Sequence, residues 1–245
     1  MNKNTLYQFQ RWSALSGFLV MIVIGVCWFS FAKLQPPFSP SESAEWVKQF
    51  LIENRSGILW SSVIISFVVP LEYLFVTTTS WQMRRIERGW GPLSIIQLLT
   101  GVVAPIGFMY PLFIISVAAY RPEERSPEIL QVLTDMYFFF YVGFALVFVL
   151  QVLVIGFAVL LDKRENPIFP RWFAYLNFFL AVVLTPGVFI FVVKDGPLAW
   201  NGLFAFWLPC FAYLAWKIAT PLLLLKAAKS ELEASDDDVV ETVSA

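Results

Sequence analysis

Two ionisable side chains occupy long apolar stretches of this sequence and are its best candidates for chemistry. Glu72 is the only charged residue between Ile58 and Val76, and Lys217 is the only one between Trp200 and Leu225. A lone charge at membrane depth costs at least a few kcal/mol, so such residues generally have a partner or a function. One interpretation is a ligand or proton site, with an anionic headgroup on Lys217 or a proton on Glu72. The other is a structural ion pair, or a Lys217 side chain that extends to the headgroups.

The elements that carry these two residues are predicted to be membrane-spanning helices. Of the 245 residues 58% are apolar and 14% are charged, whereas soluble domains carry roughly 25% charged residues. Apolar stretches of about 20 residues recur without the alternation of barrel strands. The predicted fold class is therefore all-α, a polytopic transmembrane bundle. Its six spans are residues 12–33, 57–81, 91–118, 128–161, 171–194 and 199–226.

The distribution of Lys and Arg predicts that both termini are cytoplasmic. The side that carries the termini has more of these residues than the other side, and the cluster Arg84, Arg85 and Arg88 accounts for most of the difference. In this orientation spans two and six run in the same direction. Glu72 and Lys217 then lie at similar depths in the inner half of the membrane, where they can meet if the two spans are neighbours.

Residues 1–229 are predicted to form one membrane domain, and the acidic segment 230–245 a disordered cytoplasmic tail. Between spans one and two, Ser39 or Ser41 could cap a short helix whose apolar face holds Trp46, Val47, Phe50 and Leu51. This helix would either lie on the outer membrane surface or cap the bundle. Span four is predicted to be one continuous helix that begins near Ser126.

A ligand site is hypothesised around the two buried charges. Prolines interrupt several spans, and kinked helices with polar side chains are suited to a cavity for a small or lipid-like molecule, although Pro is also common in ordinary membrane packing. A cavity of several hundred Å³ would favour a ligand. The six candidate ligand-binding residues are Glu72, Lys217, Ser66, Gln97, Gln151 and Asn177.

The composition excludes several kinds of site. There is no histidine, which removes His-ligated haem and zinc and the Ser-His catalytic pair. Cys27 and Cys210 both fall inside spans and are too few for a thiolate metal site; they are interpreted as small buried side chains. We find no nucleotide-binding loop and no metal-ligand spacing, so no cofactor, no metal and no catalytic residue is predicted. The near-neutral charge is not that of a nucleic-acid-binding protein.

Three segments resemble a family of multi-pass bacterial membrane proteins found mainly in actinobacteria and some proteobacteria. They are Arg84-Arg85-Ile86-Glu87, Phe169-Pro170-Arg171-Trp172, and the run from Gly196 to Pro209, which reads GPLAWNGLFAFWLP. The resemblance covers most of residues 11–226. It implies a single six-helix unit in a bacterial inner membrane. It implies no activity and no catalytic residues.

The leading functional prediction is an integral membrane protein that binds or moves a hydrophobic or lipid-like small molecule near Glu72 and Lys217. The alternative is a non-catalytic scaffold or accessory subunit of a larger membrane complex, and an intramembrane enzyme comes third. Expected partners are membrane lipids, a hydrophobic small molecule, and a membrane protein partner or a second copy of the chain. The expected location is the bacterial inner membrane.

Overall fold

A computed structural model confirms the all-α fold and the six membrane-spanning helices. It describes the backbone of residues 2–243 and the side chains of residues 2–103 and 105–234, and no strand occurs in that part of the chain. By length and apolar composition the protein fits a multi-pass membrane protein. The spans are Lys3–Phe31, Ala44–Ile86, Pro92–Tyr120, Pro127–Leu161, Arg171–Phe191 and Gly196–Ala234.

Eight α-helices and several short non-α turns make up these spans. The helices are α1 (Lys3–Val26), α2 (Ala44–Val68), α3 (Glu72–Ile86), α4 (Pro92–Tyr120), α5 (Pro127–Gly143), α6 (Ala145–Leu161), α7 (Arg171–Leu184) and α8 (Leu208–Val243). Two π-helical turns lie at Cys27–Phe31 and Leu203–Trp207. Three 3₁₀ turns lie at Val69–Leu71, Thr185–Phe191 and Gly196–Leu198.

An even number of spans places both termini at one end of the bundle, called here the terminal end. The connections 32–43, 121–126 and 192–202 lie at the other end, called here the opposite end. The structure does not test which end faces the cytoplasm, so the predicted orientation stays a prediction. Two groups of buried apolar side chains fill the bundle. One contains Trp28 and Tyr137, and the other contains Phe75 and Trp216.

The amphipathic segment before span two is not a separate helix. Ser43 is the N-cap, its hydroxyl accepts a hydrogen bond from the Trp46 amide at 3.2 Å, and α2 then continues without interruption through span two. Val47 and Leu51 are buried against the bundle. The segment therefore forms the first turns of α2 and caps the bundle, because its apolar face finds protein to pack against.

Span four is interrupted, which corrects the prediction of one continuous helix. α5 ends at Gly143, Phe144 has a ψ near 2°, and α6 begins at Ala145. The Phe144 ring packs where a Cβ at Gly107 of α4 would lie, and Phe191 packs in the same way against Gly143. At this break, the rings of Phe144 and Phe191 occupy the space that side chains at Gly107 and Gly143 would need.

A close helix approach explains the π turn of span one. The Cys27 carbonyl accepts hydrogen bonds from the Ala32 amide at 2.8 Å and from the Ser61 hydroxyl at 3.0 Å. Gly57 of α2 lies so close to this turn that a Cβ there would overlap the Phe31 carbonyl oxygen. Glycine at position 57 is therefore what allows spans one and two to pack at this point.

At the terminal end, α8 continues past the point where an acidic tail is predicted. Residues 230–234 are helical, and Glu231 accepts hydrogen bonds from Gln10 at 3.0 Å, Trp81 at 3.2 Å and Gln82 at 3.0 Å. Arg85 lies 3.9 Å from the same carboxylate. Glu231 thus joins α1, α3 and α8. The side chains of 235–245, which make up most of the predicted tail, lie outside the described residues.

Candidate functional site

Glu72 is placed by a break in span two. Pro70 has no backbone N–H to donate, and the chain forms a 3₁₀ turn over Val69–Leu71 before α3 begins at Glu72. The Ser16 hydroxyl of α1 donates a hydrogen bond to the Leu71 carbonyl at 3.1 Å, which supports the turn. The Glu72 side chain points into the bundle, where the residue is 7% exposed.

Lys217 meets Glu72 from α8. Its Nζ atom lies 2.5 Å from Glu72 Oε1, and Lys217 is 2% exposed. The same ammonium lies 4.3 Å from the centroid of the Phe75 ring, so the aromatic face shares in balancing its charge. Lys217 therefore does not extend to the headgroups. The structure contains the predicted contact between Lys217 and Glu72.

The second oxygen of the Glu72 carboxylate lacks the stabilisation that Lys217 gives to the first. Among the described residues, Glu72 Oε2 has no hydrogen-bond partner although it is buried. A buried charge pair stabilises a fold only when its remaining hydrogen-bonding positions are also satisfied. The pair thus retains one free acceptor inside the bundle.

Helices α3 and α8 run parallel and side by side, which sets the depth of the pair. They touch at Glu72–Lys217 and again toward the terminal end, where Arg85 Nη1 donates to the Ala227 carbonyl at 3.3 Å. The two contacts are separated by similar lengths of each helix. This agrees with the prediction that both charges lie at similar depth on spans with the same direction.

Asn177 belongs to the surroundings of the pair but does not touch it. Its Oδ1 accepts a hydrogen bond from Trp216 Nε1 at 3.0 Å, and its Nδ2 donates to the Phe173 carbonyl at 2.7 Å. Trp216 in turn packs edge-on against Phe75 and stacks on Tyr213, with centroid distances of 6.0 and 5.8 Å. Asn177 therefore holds the aromatic residues that surround Lys217.

In the described part of the chain, no hydrogen bond joins the other three candidate residues to the charge pair. Gln97 is buried and accepts a short hydrogen bond from the Ser80 hydroxyl. Gln151 is buried beside Gly101, and its Oε1 has no hydrogen-bond partner within the described part of the chain. The Ser66 hydroxyl donates to the Ser62 carbonyl of its own helix at 2.7 Å. Their assignment to a ligand site stays a prediction.

A half-open cavity of about 130 Å³ lies within the bundle, between α4, the α5–α6 break and the start of α8. Two of the non-α features border it, the break at Phe144 and the π turn with Ala205 and Phe206, and Leu184 at the end of α7 lines it as well. Irregular backbone at membrane depth is tolerated where it is buried in protein or borders a cavity. The full lining is Gly107, Phe108, Tyr141, Val142, Phe144, Ala145, Phe148, Leu184, Ala205, Phe206, Pro209, Cys210 and Tyr213.

Tyr213 connects this cavity to the charge pair. It lines the cavity and stacks on Trp216, the neighbour of Lys217 in the sequence, with a centroid distance of 5.8 Å. It lies one helical turn before Lys217, on the same face of α8. None of the six predicted residues lines the cavity, and Tyr141, Cys210 and Tyr213 were not among them. The spacing of Tyr213 and Lys217 is the one sequence signal that points to this neighbour.

The chemistry available here is binding through apolar contact with a few polar atoms, beside a neutralised charge pair. Among the described residues no group of three His, Cys, Asp or Glu side chains could hold a metal ion. Comparisons of the chain with protein-family models, with curated proteins and with solved structures returned no match.

Proposed function

We propose that this membrane protein binds an apolar small molecule, or an apolar segment of a lipid, in the cavity beside the Glu72–Lys217 pair. The observation that carries the proposal is the position of the cavity. It lies where spans four and six depart from α-helical geometry, and Tyr213, which lines it, lies one helical turn before Lys217 on α8.

The size of the cavity indicates what part of a molecule it holds. Its volume of about 130 Å³ is smaller than the several hundred Å³ expected of a site that encloses a drug-sized ligand. It is close to an engineered apolar cavity of about 150 Å³ that binds benzene. An aromatic ring or a short stretch of acyl chain fits, and the rest of a larger molecule would extend between the helices.

The lining supports an apolar occupant with one polar group. Most of the residues are aromatic or aliphatic, and the side-chain polar groups come from Tyr141, Cys210 and Tyr213. A hydroxyl group on the ligand would find the phenol of Tyr213 as a partner.

Photolabelling tests the proposal. The purified full-length protein is incubated with a long-chain fatty acid that carries a diazirine, irradiated and digested, and the labelled residues are identified by mass spectrometry. We expect labels on cavity residues such as Phe148 and Tyr213. The variant Ala205→Leu, which adds bulk to a buried cavity wall, should lower this labelling several-fold.

The control is Ala215→Leu, which adds the same groups to an exposed position of α8. Labelling in this variant should equal that of the unchanged protein. Equal labelling in the Ala205→Leu and Ala215→Leu variants would contradict the proposal.

A further inference from the structure

A second pocket lies at the opposite end of the bundle, away from the interior cavity. It has a volume of about 340 Å³ and is formed by α5, the chain from Ile190 to Lys194, and Trp200. This volume is within the range of small-molecule sites. None of its lining residues lines the interior cavity, so what it binds is independent of the function proposed above.

Two opposite charges line this pocket without neutralising each other. Asp135 of α5 is half-buried in its wall, and Lys194 is exposed at its rim. The two side chains interact electrostatically, yet they form no ion pair within 4.0 Å in the described part of the chain. Each charge therefore remains available to a group of opposite sign on a ligand.

Aromatic rings line the pocket together with Asp135. Phe139 lies one turn further along α5, and its ring packs edge-on against Phe191 at 5.4 Å and against Trp200 at 6.1 Å. The Trp200 indole is held by a hydrogen bond to the Phe38 carbonyl at 2.9 Å and stacks on Phe138 at 4.8 Å. The exposed rings of Phe139 and Phe191 beside a carboxylate form a combination that attracts an ammonium group, because ring faces and carboxylate both favour a cation.

The positions of the two charges indicate how a ligand would lie. The Asp135 carboxylate is half-buried in the wall of the pocket, whereas Lys194 is exposed. A bound molecule would place its cation against Asp135 and its anion against Lys194. The pocket also lies at the ends of the spans, the depth at which lipid headgroups occur.

We propose that this pocket binds a zwitterion that contains an ammonium group and a phosphate. The ammonium contacts Asp135 and the exposed rings of Phe139 and Phe191, and the phosphate contacts Lys194. Phosphocholine has this chemistry, either as a free molecule or as the headgroup of a phospholipid.

Binding experiments on the full-length protein in a non-ionic detergent separate the two sources. Calorimetric titration measures the affinity for phosphocholine, with inorganic phosphate as the comparison. Native mass spectrometry counts the phosphatidylcholine and phosphatidylglycerol molecules that are retained from an equal mixture. We expect phosphocholine to bind at least about tenfold more tightly than phosphate, since phosphate offers no cation to the aromatic rings.

Two variants and two matched controls test the roles of the charges. Asp135→Asn should weaken zwitterion binding about tenfold, and Lys194→Met should weaken it several-fold. Glu128→Gln removes a carboxylate from an exposed position of the same helix, and Lys33→Met removes an exposed ammonium at the same end. Both controls should bind like the unchanged protein. Should Asp135→Asn fail to fold, Lys194→Met and competition by choline give the same information.

Each result has a defined meaning. Loss of phosphocholine affinity in Asp135→Asn and Lys194→Met supports a site that accepts the free zwitterion. If only the retention of phosphatidylcholine responds to these variants, the ligand is the lipid headgroup. The proposal is overturned if phosphocholine binds no better than phosphate while phosphatidylcholine is retained no better than phosphatidylglycerol, or if neither phosphocholine nor phosphatidylcholine responds to the variants.

Discussion

The Lys217 ammonium lies 2.5 Å from one oxygen of Glu72, while the other oxygen has no partner among the described residues. The two residues are 145 positions apart in the sequence. Their contact fixes span two against span six inside the bundle. It also makes each of them dependent on the other, because a buried charge without its partner is strongly unfavourable.

Removing one member of this pair should destabilise the fold, and removing both should restore most of the loss. Glu72→Gln or Lys217→Met alone is expected to cost about 3–5 kcal/mol, because the remaining charge is left in the interior. The double variant is expected to unfold close to the unchanged protein. Unfolding by SDS titration in mixed micelles measures all three. If each single variant unfolds at the same SDS fraction as the unchanged protein, the pair has no structural role.

The contact of α2 with the π turn of span one should tolerate no side chain at position 57. Gly57→Ala places a Cβ against the Phe31 carbonyl, so the helices must move apart at a cost of about 1–3 kcal/mol. Gly25→Ala is the matched control, since its Cβ would have nothing within 4 Å. Gly25→Ala should be neutral or slightly stabilising. The thermal unfolding temperatures of the two variants in detergent provide the comparison, and equal temperatures would refute the close approach.

The contacts of Glu231 should stabilise the terminal end of the bundle. Glu231→Ala removes an acceptor shared by Gln10, Trp81 and Gln82, and charge-assisted hydrogen bonds of this kind contribute about 1.5–3 kcal/mol. Glu233→Ala is the control, because among the described residues Glu233 pairs with exposed Lys229 alone, one turn away, and such pairs contribute about 0.3–0.5 kcal/mol.

Truncation extends the same test. A chain that ends at Ala234 keeps Glu231 and should unfold like the full-length protein. A chain that ends at Ser230 should resemble Glu231→Ala. Thermal unfolding monitored by circular dichroism measures both, and a shorter chain as stable as the longer one would show that the Glu231 contacts contribute nothing.

The hydrogen bond between Asn177 and Trp216 should contribute measurably to the stability of the fold, although neither residue belongs to the charge pair. Asn177→Leu leaves the buried Trp216 N–H without its acceptor, which is expected to cost about 1–3 kcal/mol. Ser66→Ala is a suitable comparison, because its hydroxyl bonds only to its own helix and its loss should cost much less. A double-mutant cycle of Asn177→Leu with Trp216→Phe should give a coupling energy near 1 kcal/mol. A coupling of zero would mean that the bond is not formed.

The spans and the charge pair were accessible from the sequence for simple physical reasons. A stretch of apolar residues has to be long enough to cross the membrane, and this length is visible without any knowledge of packing. Glu72 and Lys217 could be matched because the direction of their spans follows from the number of crossings. The sequence does not say whether two spans are neighbours. The structure shows that spans two and six are neighbours, because α3 contacts α8.

The interior cavity could not be predicted because it depends on where helices depart from regular geometry. The break at Phe144 follows no proline and becomes visible only when Gly107 and Gly143 are seen to accept aromatic rings. The π turn before Ala32 likewise depends on Gly57 of another span. Gln97, Gln151 and Ser66 were chosen for their polarity, and their assignment to a ligand site stays a prediction.

The separation of Glu72 and Lys217 along the chain has a consequence for biosynthesis. A ribosome adds about 5–20 residues per second, so Glu72 is made roughly 7–30 s before Lys217. During that interval the second span has been synthesised with a lone carboxyl group and no ammonium to meet it. Assembly of this protein therefore cannot be completed span by span, because the charge on span two has no partner until span six has been synthesised.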